Sequence, residues 1–313
     1  MFIGKLWLKI KRWLHIISDT EYRQGKIKYL PHINKVDYSY KITNFNHMGT
    51  VESKRSPKLV VSLTSFPERM YDIHFTIYSL LNQSIKPDKV VLWLAEDQFP
   101  NKEKDIPETV LKLINNGLTI KWCSDLRSYK KLIPSLEEYS QDIIVTADDD
   151  IFYPQTWLEL LYTAYLKKPQ AIHCHRGHQL RFSKQGEILP YKKWKHRISN
   201  ISPSFYNFFT GAGGVLYPPH SLYKDVSDIA LFQKLAPNAD DIWFWAMAVL
   251  AGTKINVVKG NFRDLIYINP ERELKLTSEF TLAMVNTATN QNDFQLKQIM
   301  EYYPQLINVL NSN

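Results

Sequence analysis

The chain has 313 residues, 44% of them hydrophobic, with 18 Tyr, 15 Phe and 8 Trp. That composition excludes a disordered chain and suffices for one large α/β domain or two smaller ones. The formal charge is +8, and residues 1–60 account for all of it, with twelve Lys/Arg against four Asp/Glu, while the other 253 residues carry 27 of each sign. Basic charge confined to one end points to a tail that meets an acidic surface, and it implies no nucleic-acid partner.

The first element is "MFIGKLWLKIKRWLHII", residues 1–17. On a helix, Phe2, Ile3, Leu6, Trp7, Ile10, Trp13, Leu14 and Ile17 share a face opposite Lys5, Lys9 and Arg12. A basic amphipathic helix with two tryptophans suits the headgroup region of an anionic bilayer. It equally suits packing on the domain with its charges solvated. Lysines and arginine interrupt it far short of the ~20 apolar residues of a membrane span. No small-residue cleavage site follows, so it does not read as a signal peptide. Residues 18–57 are polar and weakly periodic, and read as a linker or wrapping arm.

From residue 58 strands and helices alternate. The run 58–66 is a strand ended by small polar residues and Pro67, and 69–84 has helical spacing of Ile73, Ile77, Leu80 and Leu81. A second strand covers 88–97, a helix stopped by Gly117 covers 107–117, and a third strand covers 118–123. Residues 128–140 read as a helix kinked or divided by Pro134. Strand 142–147 precedes helix 155–168 and strand 171–176. Near-continuous apolar strands alternating with helices indicate a mostly parallel sheet covered on both faces. Ligands in such sheets bind beyond the carboxyl ends of the strands, where 64–69, 95–97, 124–131 and 148–150 fall. Cys123 and Cys174 lie in strand-like runs without metal-type spacing, and read as buried free thiols in a reducing compartment.

The fourth strand delivers "TADDDIFYP". A single strand-end Asp is commonly a turn or cap residue. Three adjacent carboxylates repel one another unless a cation neutralises them, and a hard divalent ion with oxygen ligands does so while leaving positions for phosphate oxygens.

Further on, "FFTGAGGVLYPP" (208–219) gathers Gly211, Gly213 and Gly214, which permit a tight turn or close approach of a ligand to the backbone. The stretch 236–252, "APNADDIWFWAMAVLAG", is a helix with two readings of its acids. Asn238 and Asp241 have the spacing of a capping pair, with Asp240 complementing the helix dipole. Alternatively, one of these carboxylates is a general base. Residues 290–306 form a terminal helix broken at Pro304.

Four segments, "VVSLTSFPER", "SLLNQSIKPDKVVLW", "TADDDIFYP" and "NADDIWFWA", resemble glycosyltransferases of the GT-A fold. The likeness is to family-2-like bacterial enzymes that build surface polysaccharides. It implies an α/β, Rossmann-like GT-A catalytic domain over 58–270, with a nucleotide-binding half at 58–150 and an acceptor half at 151–270. The amphipathic helix (1–17), the arm (18–57) and a helical extension (271–313) flank it.

The resemblance also implies roles. Asp150 is the direct ligand of Mn²⁺ or Mg²⁺, and Asp148 faces the ribose or the metal. Asp149, Thr64, Ser65, Arg69, Glu96, Asp97, Asp125 and Lys131 belong to the nucleotide-sugar site, with Lys130 a further point charge. The usual Asp-Asp-Gly-Ser run after the second strand is missing here. Gly211, Gly213, Gly214 and Trp243 meet the donor sugar or acceptor, and Trp245 belongs to the core. Asp241 is the base, with Asp240 as fallback, and His178 or His220 is a candidate extra metal ligand. The implied reaction is metal-dependent, inverting transfer from a UDP- or GDP-linked sugar to a glycan or lipid-linked acceptor. It would take place in the cytoplasm or at the inner face of the cell membrane. A nucleotidyltransferase shares the fold style but normally has a glycine-rich loop after the first strand, which "SLTSFPERM" lacks. A non-catalytic glycan- or membrane-binding protein is the alternative outside enzymes.

Overall fold

The computed structural model describes residues 2–13, 21, 25, 29–199, 201–262, 264–271 and 290–311. Helices α1 (Phe2–Trp13) and α2 (Lys35–Thr43) precede strand β1 (Leu59–Thr64). Then follow α3 (Ile73–Leu81), β2 (Lys89–Ala95), α4 (Glu108–Leu111), β3 (Leu118–Cys123), α5 (Ile133–Glu138), β4 (Ile143–Ala147) and α6 (Trp157–Lys167). The second half has six strands in succession: β5 (Ile172–Cys174), β6 (Gly177–Gln179), β7 (Lys195–Ile198), β8 (Ile201–Ser204), β9 (Asn207–Phe209) and β10 (Val215–Tyr217). It closes with α7 (Ile229–Leu235), α8 (Asp240–Leu250), β11 (Ile255–Val257), α9 (Gln291–Tyr302) and α10 (Gln305–Asn311).

Eight strands form one sheet in the order β3-β2-β1-β4-β10-β5-β11-β8. Only β10 and β8 run against the rest. A small antiparallel sheet, β7-β6-β9, stands beside it. This is the mostly parallel, Rossmann-like α/β arrangement expected of a GT-A fold.

The period of two along each strand divides the core. Leu59, Val61 and Leu63 of β1 join Val90, Leu92 and Leu94 of β2 under α3 and α6. Val60, Val91 and Trp93 face the other way, toward Tyr139. A second core gathers β5, β10 and β11 around α8, whose Trp243, Phe244 and Trp245 are fully enclosed. Each large side chain so buried contributes roughly 1.5–3 kcal/mol over exposure.

Local differences from the sequence expectation have local causes. The helix expected over 69–84 starts only at Ile73, because Pro67–Arg69 form a separate 3₁₀ turn. Pro134 does divide its segment, into a 3₁₀ turn, Arg127–Lys131, and α5, where it occupies the first helical turn. A first-turn N–H has no intrahelical partner, so proline costs nothing there. Gly117 closes the preceding 3₁₀ turn at φ 107°. Pro304 separates α9 from α10.

Within 29–57, Asn34 caps α2 by accepting the Val36 N–H, and Lys35 pairs with Asp72 at 2.9 Å beside the start of α3. Cys174 is buried, but Cys123 is only half-buried, and both thiols are free. Leu14 and Ile17 of the expected amphipathic face, and most of the 271–290 stretch, lie outside the described residues.

Candidate active site

A cleft of about 790 Å³ opens at the carboxyl ends of β1, β3 and β4 and is bounded across by the start of α8. The three consecutive acids on its floor have different surroundings. Asp149 is buried and accepts hydrogen bonds from Ser65 Oγ and Arg69 Nη1, both at 2.5 Å. Its main-chain carbonyl accepts Thr76 Oγ1 at 2.9 Å. Asp149 thus locks the end of β4 to the end of β1 and to α3. Arg69 Nη1 also donates to Asp150 at 2.6 Å, so one guanidinium nitrogen bridges two carboxylates. Burial opposes the Arg69 charge, yet Asp149 and Asp150 hold its pKa above the ordinary range. Asp148 donates its N–H to Tyr153 Oη at 2.8 Å, and that hydroxyl donates to the Ala212 carbonyl at 3.2 Å.

Lys131 joins the two acid groups of the cleft. Its ammonium lies 2.8 Å from Asp148 and 3.2 Å from Asp240. A buried chain fixes its backbone: Ser62 Oγ donates to the Lys131 carbonyl at 2.6 Å and lies 2.9 Å from Ser135 Oγ, which accepts Trp93 Nε1 at 2.8 Å. Burial works against the charge of Lys131, but Asp148, Asp240 and Asp241 together carry its pKa well above the usual value.

The capping reading of the second acid pair does not hold. Ala239 precedes α8 and provides no side-chain cap. Asn238 instead accepts Arg127 Nη1 at 2.9 Å and donates its N–H to Gln295 Oε1 at 3.0 Å. Asp241 turns inward, where both carboxylate oxygens accept the Gly211 N–H at 3.0 Å. Burial, and next the charge of Asp240, push the Asp241 pKa up to about 7, against the opposing pull of Lys131 and Gly211. Asp240 Oδ2 is buried without a hydrogen-bond partner; its contact with Lys131 has ion-pair distance but not hydrogen-bond alignment.

Of the residues singled out from sequence, Thr64, Ser65, Arg69, Asp125, Lys130, Lys131, Asp148, Asp149, Asp150, Asp240 and Asp241 all line the cleft. Lys130 is spent on Asp125 at 2.7 Å. Glu96 and Asp97 do not line it: they occupy a 3₁₀ turn beyond β2, where the exposed Glu96 pairs with Lys102. Gln98, from the same turn, does reach the cleft and donates to Asp125 at 3.0 Å.

Trp243 is enclosed in the core with its indole N–H on the Val226 carbonyl, as Trp245 is on Phe205 and Asn207, so neither stacks on a ligand. The glycines serve protein contacts. A Cβ on Gly211 would lie 2.8 Å from Lys131 Nζ and 2.9 Å from Asp241 Oδ1. One on Gly213 would meet Arg176 at 2.5 Å, and one on Gly214, at φ 90°, would meet Trp157 at 2.4 Å.

Neither histidine offered as a metal ligand reaches the acids. His178 is buried, accepts the Arg197 N–H at 3.1 Å and is driven down to about 3 by burial and Arg176. His220 is exposed, 3.1 Å from Gln141. Arg176, Tyr191 and Thr210 line the cleft without having been singled out from sequence. The β6–β9 pairing is what brings Arg176 beside Thr210.

The donor set suits a hard divalent cation in kind. Four carboxylates of the cleft, Asp148, Asp149, Asp150 and Asp240, share two cations, Arg69 and Lys131, and the buried Oδ2 of Asp240 lacks a hydrogen-bond donor. Among the described residues no group of three or more His, Cys, Asp or Glu is arranged to hold a metal. Asp148 and Asp150 therefore fit such an ion only with ligand oxygens completing its shell.

No protein-family model and no curated protein matches the chain. Among solved structures it is similar to S. aureus TarS residues 1–349, at 14% identity and TM-score 0.46, over 79% of this chain and 73% of that one. It is also similar to a CMP:2-keto-3-deoxy-manno-octonic acid synthetase complexed with CTP, at 11% identity and TM-score 0.40, covering 71% and 98%. The inositol-1-phosphate CTP transferase from T. maritima gives 12% and 0.42, covering 74% and 98%. These are likenesses of fold.

Proposed function

We propose that the protein is a glycosyltransferase that moves a sugar from a UDP- or GDP-linked donor to a hydroxyl of a glycan or lipid-linked acceptor, with inversion. The observation that carries this reading is the Asp241 carboxylate. It is half-buried, oriented by the Gly211 N–H, poised near neutrality, and next to Asp240, which Lys131 links to Asp148 of the acid triplet at the end of β4. A base with a pKa near the working pH is ionised often enough to act and basic enough to take a proton.

In the proposed reaction the acceptor oxygen attacks the anomeric carbon as its proton passes to Asp241. The bond from that carbon to the diphosphate oxygen breaks, and the nucleoside diphosphate leaves with the electron pair. Gly211 holds Asp241 in orientation, and Lys131 holds the base and the donor acids at fixed separation. Mn²⁺ or Mg²⁺ held by Asp150 and Asp148 would neutralise charge on the departing diphosphate. Arg69 keeps Asp149 and Asp150 in place.

Thermal unfolding of the full chain tests this. UDP or GDP at a hundredfold excess over Kd should stabilise it by ~2.7 kcal/mol. The effect should require Mn²⁺ or Mg²⁺ and vanish in Asp150→Ala. Release of pyrophosphate from a nucleoside triphosphate and a sugar phosphate would instead assign a nucleotidyltransferase. Indifference to every nucleotide would leave a binding protein.

The same proposal places the enzyme at an anionic membrane face. Leu6, Trp7 and Ile10 of α1 are exposed next to the exposed Lys9, so apolar and basic groups are both available to a headgroup layer. No helix among the described residues is long and apolar enough to cross a membrane. Co-sedimentation with vesicles containing phosphatidylglycerol, weakened by salt and lost in Trp7→Glu, is the expected result; equal binding to neutral vesicles would count against it.

A further inference from the structure

Two cations of the cleft make no ion pair among the described residues: Arg127, which is exposed and donates to Asn238, and Arg176, which is only partly exposed. Arg69, Lys130 and Lys131 each lie within 2.8 Å of an aspartate. Arg176 has no such partner among the described residues, although it lines the same cleft together with Thr210, Tyr191 and Asp241. Its Nη1 donates to Thr210 Oγ1 at 3.0 Å, while its Nε is buried and makes no hydrogen bond. The neighbouring charges do not compensate: Arg197 repels it and Asp241 attracts it only weakly.

The side chain is nevertheless held in place. The Arg176 carbonyl accepts the Thr210 N–H at 2.9 Å, and the backbone of Gly213 crosses so close to the stem that a Cβ there would sit 2.5 Å from Arg176 Cβ. A guanidinium partly withdrawn from water without a counter-charge costs stability, and its planar fork matches the two oxygens of a phosphate or carboxylate. The donor acids already have their own cations, so this fork is positioned for the second substrate.

We propose that Arg176 binds an oxyanion, a phosphate or a carboxylate, carried by the acceptor that reaches Asp241. The acceptor is thus an anionic glycan or phosphate-bearing chain, not a neutral sugar. Naming the bearer as the acceptor rests on the proposed transfer reaction; the anion site itself does not.

The experiment titrates the full chain with inorganic phosphate, methyl phosphate, glucuronate and, as a neutral control, methyl glucoside. It is run with and without UDP or GDP and Mn²⁺, and binding is read by calorimetry. The oxyanions should bind, the glucoside should not, and Arg176→Gln should weaken oxyanion binding at least tenfold while leaving nucleotide binding unchanged. Arg176→Lys, which keeps the charge and loses the fork, should fall between; if the Gln variant does not fold, unchanged phosphate binding in the Lys variant overturns the proposal.

It is also overturned by unaltered binding in Arg176→Gln, by failure of every oxyanion to bind the wild type, or by a parallel loss of nucleotide binding, which would give Arg176 to the donor diphosphate. A loss confined to UDP-glucuronate relative to UDP-glucose would assign the anion to the transferred sugar and overturn the acceptor assignment. Oxyanion binding without any nucleotide binding would sink the transferase reading and leave the anion site standing.

Discussion

The two banks of the cleft differ in how their charges are settled. On the bank formed by β1 and β4, Asp149 and Asp150 share Arg69, Asp148 has Lys131, and Asp125 has Lys130. On the bank formed by α8 and the 210–214 turn, Asp240 and Asp241 depend on a lysine already paired with Asp148, and Arg176 makes no ion pair among the described residues, Asp241 attracting it only weakly. The first bank is pre-organised around internal pairs. The second has a carboxylate near neutral pKa and an arginine that makes no ion pair among the described residues. Buried polar atoms without hydrogen bonds occur on both banks, Arg69 Nε and Gln98 Oε1 on the first and Asp240 Oδ2 and Arg176 Nε on the second, so what sets the second bank apart is its unsettled charge, which fits a surface completed by substrate.

Removing the charge of Asp241 is the largest way to break the contrast. Asp241→Asn should lower kcat by about 10²–10⁴, the usual range for a general base. Its stability should move the other way. The Asp241 pKa is raised to about 7, above the ~3.9 of an unfolded chain, so the native state binds more protons between those values. Stability from this group therefore falls as pH rises from about 4 to about 7. The Asn variant should be the more heat-stable protein at pH 8, and a lower melting temperature there would count against a strained base.

On the paired bank the expectation reverses. Arg69→Met leaves Asp149 and Asp150 facing each other without their cation, and breaking a buried pair costs about 3–5 kcal/mol. Denaturant unfolding at pH 7 would reveal it, and a loss below 1 kcal/mol would mean the pairing is incidental. Gly211→Ala is a smaller intrusion between the banks. Its Cβ would press on Lys131 Nζ and Asp241 Oδ1, so kcat should drop by about 10²-fold with nucleotide affinity retained.

The same division decides how much the sequence revealed. The paired bank was legible because its residues follow strands in chain order. Apolar runs mark β1, β2 and β4, and the ends of parallel strands converge, so Ser65, Arg69, Asp125, Lys131 and the triplet fall together. Glu96 and Asp97 misled because a 3₁₀ turn rotates them out and sends Gln98 in. The other bank depends on contacts distant in sequence. Arg176 meets Thr210 through β6–β9 pairing, and Asp241 meets Gly211 across 30 residues. Trp243 belongs to an apolar helix, and periodicity alone does not separate a sugar platform from a core residue. The capping pattern at Asn238 was plausible in sequence, but Arg127 and Gln295 occupy its groups.

The smallest effect distinguishes the two acids of the second bank from each other. The active form of the proposed base is ionised Asp241, so kcat/KM should rise about tenfold per pH unit on the acid side and level off above about 7. Burial raises this pKa most and the charge of Asp240 comes next, while Lys131 opposes both. Asp240→Asn removes the like charge and leaves Lys131 to Asp148 and Asp241, and both changes favour the ionised carboxylate. The acid limb should therefore move to lower pH, by on the order of one unit or about 1.4 kcal/mol, so that the pH 6 to pH 8 activity ratio increases. If Asp240 were itself the base, the same substitution would remove activity at every pH and leave no limb to shift.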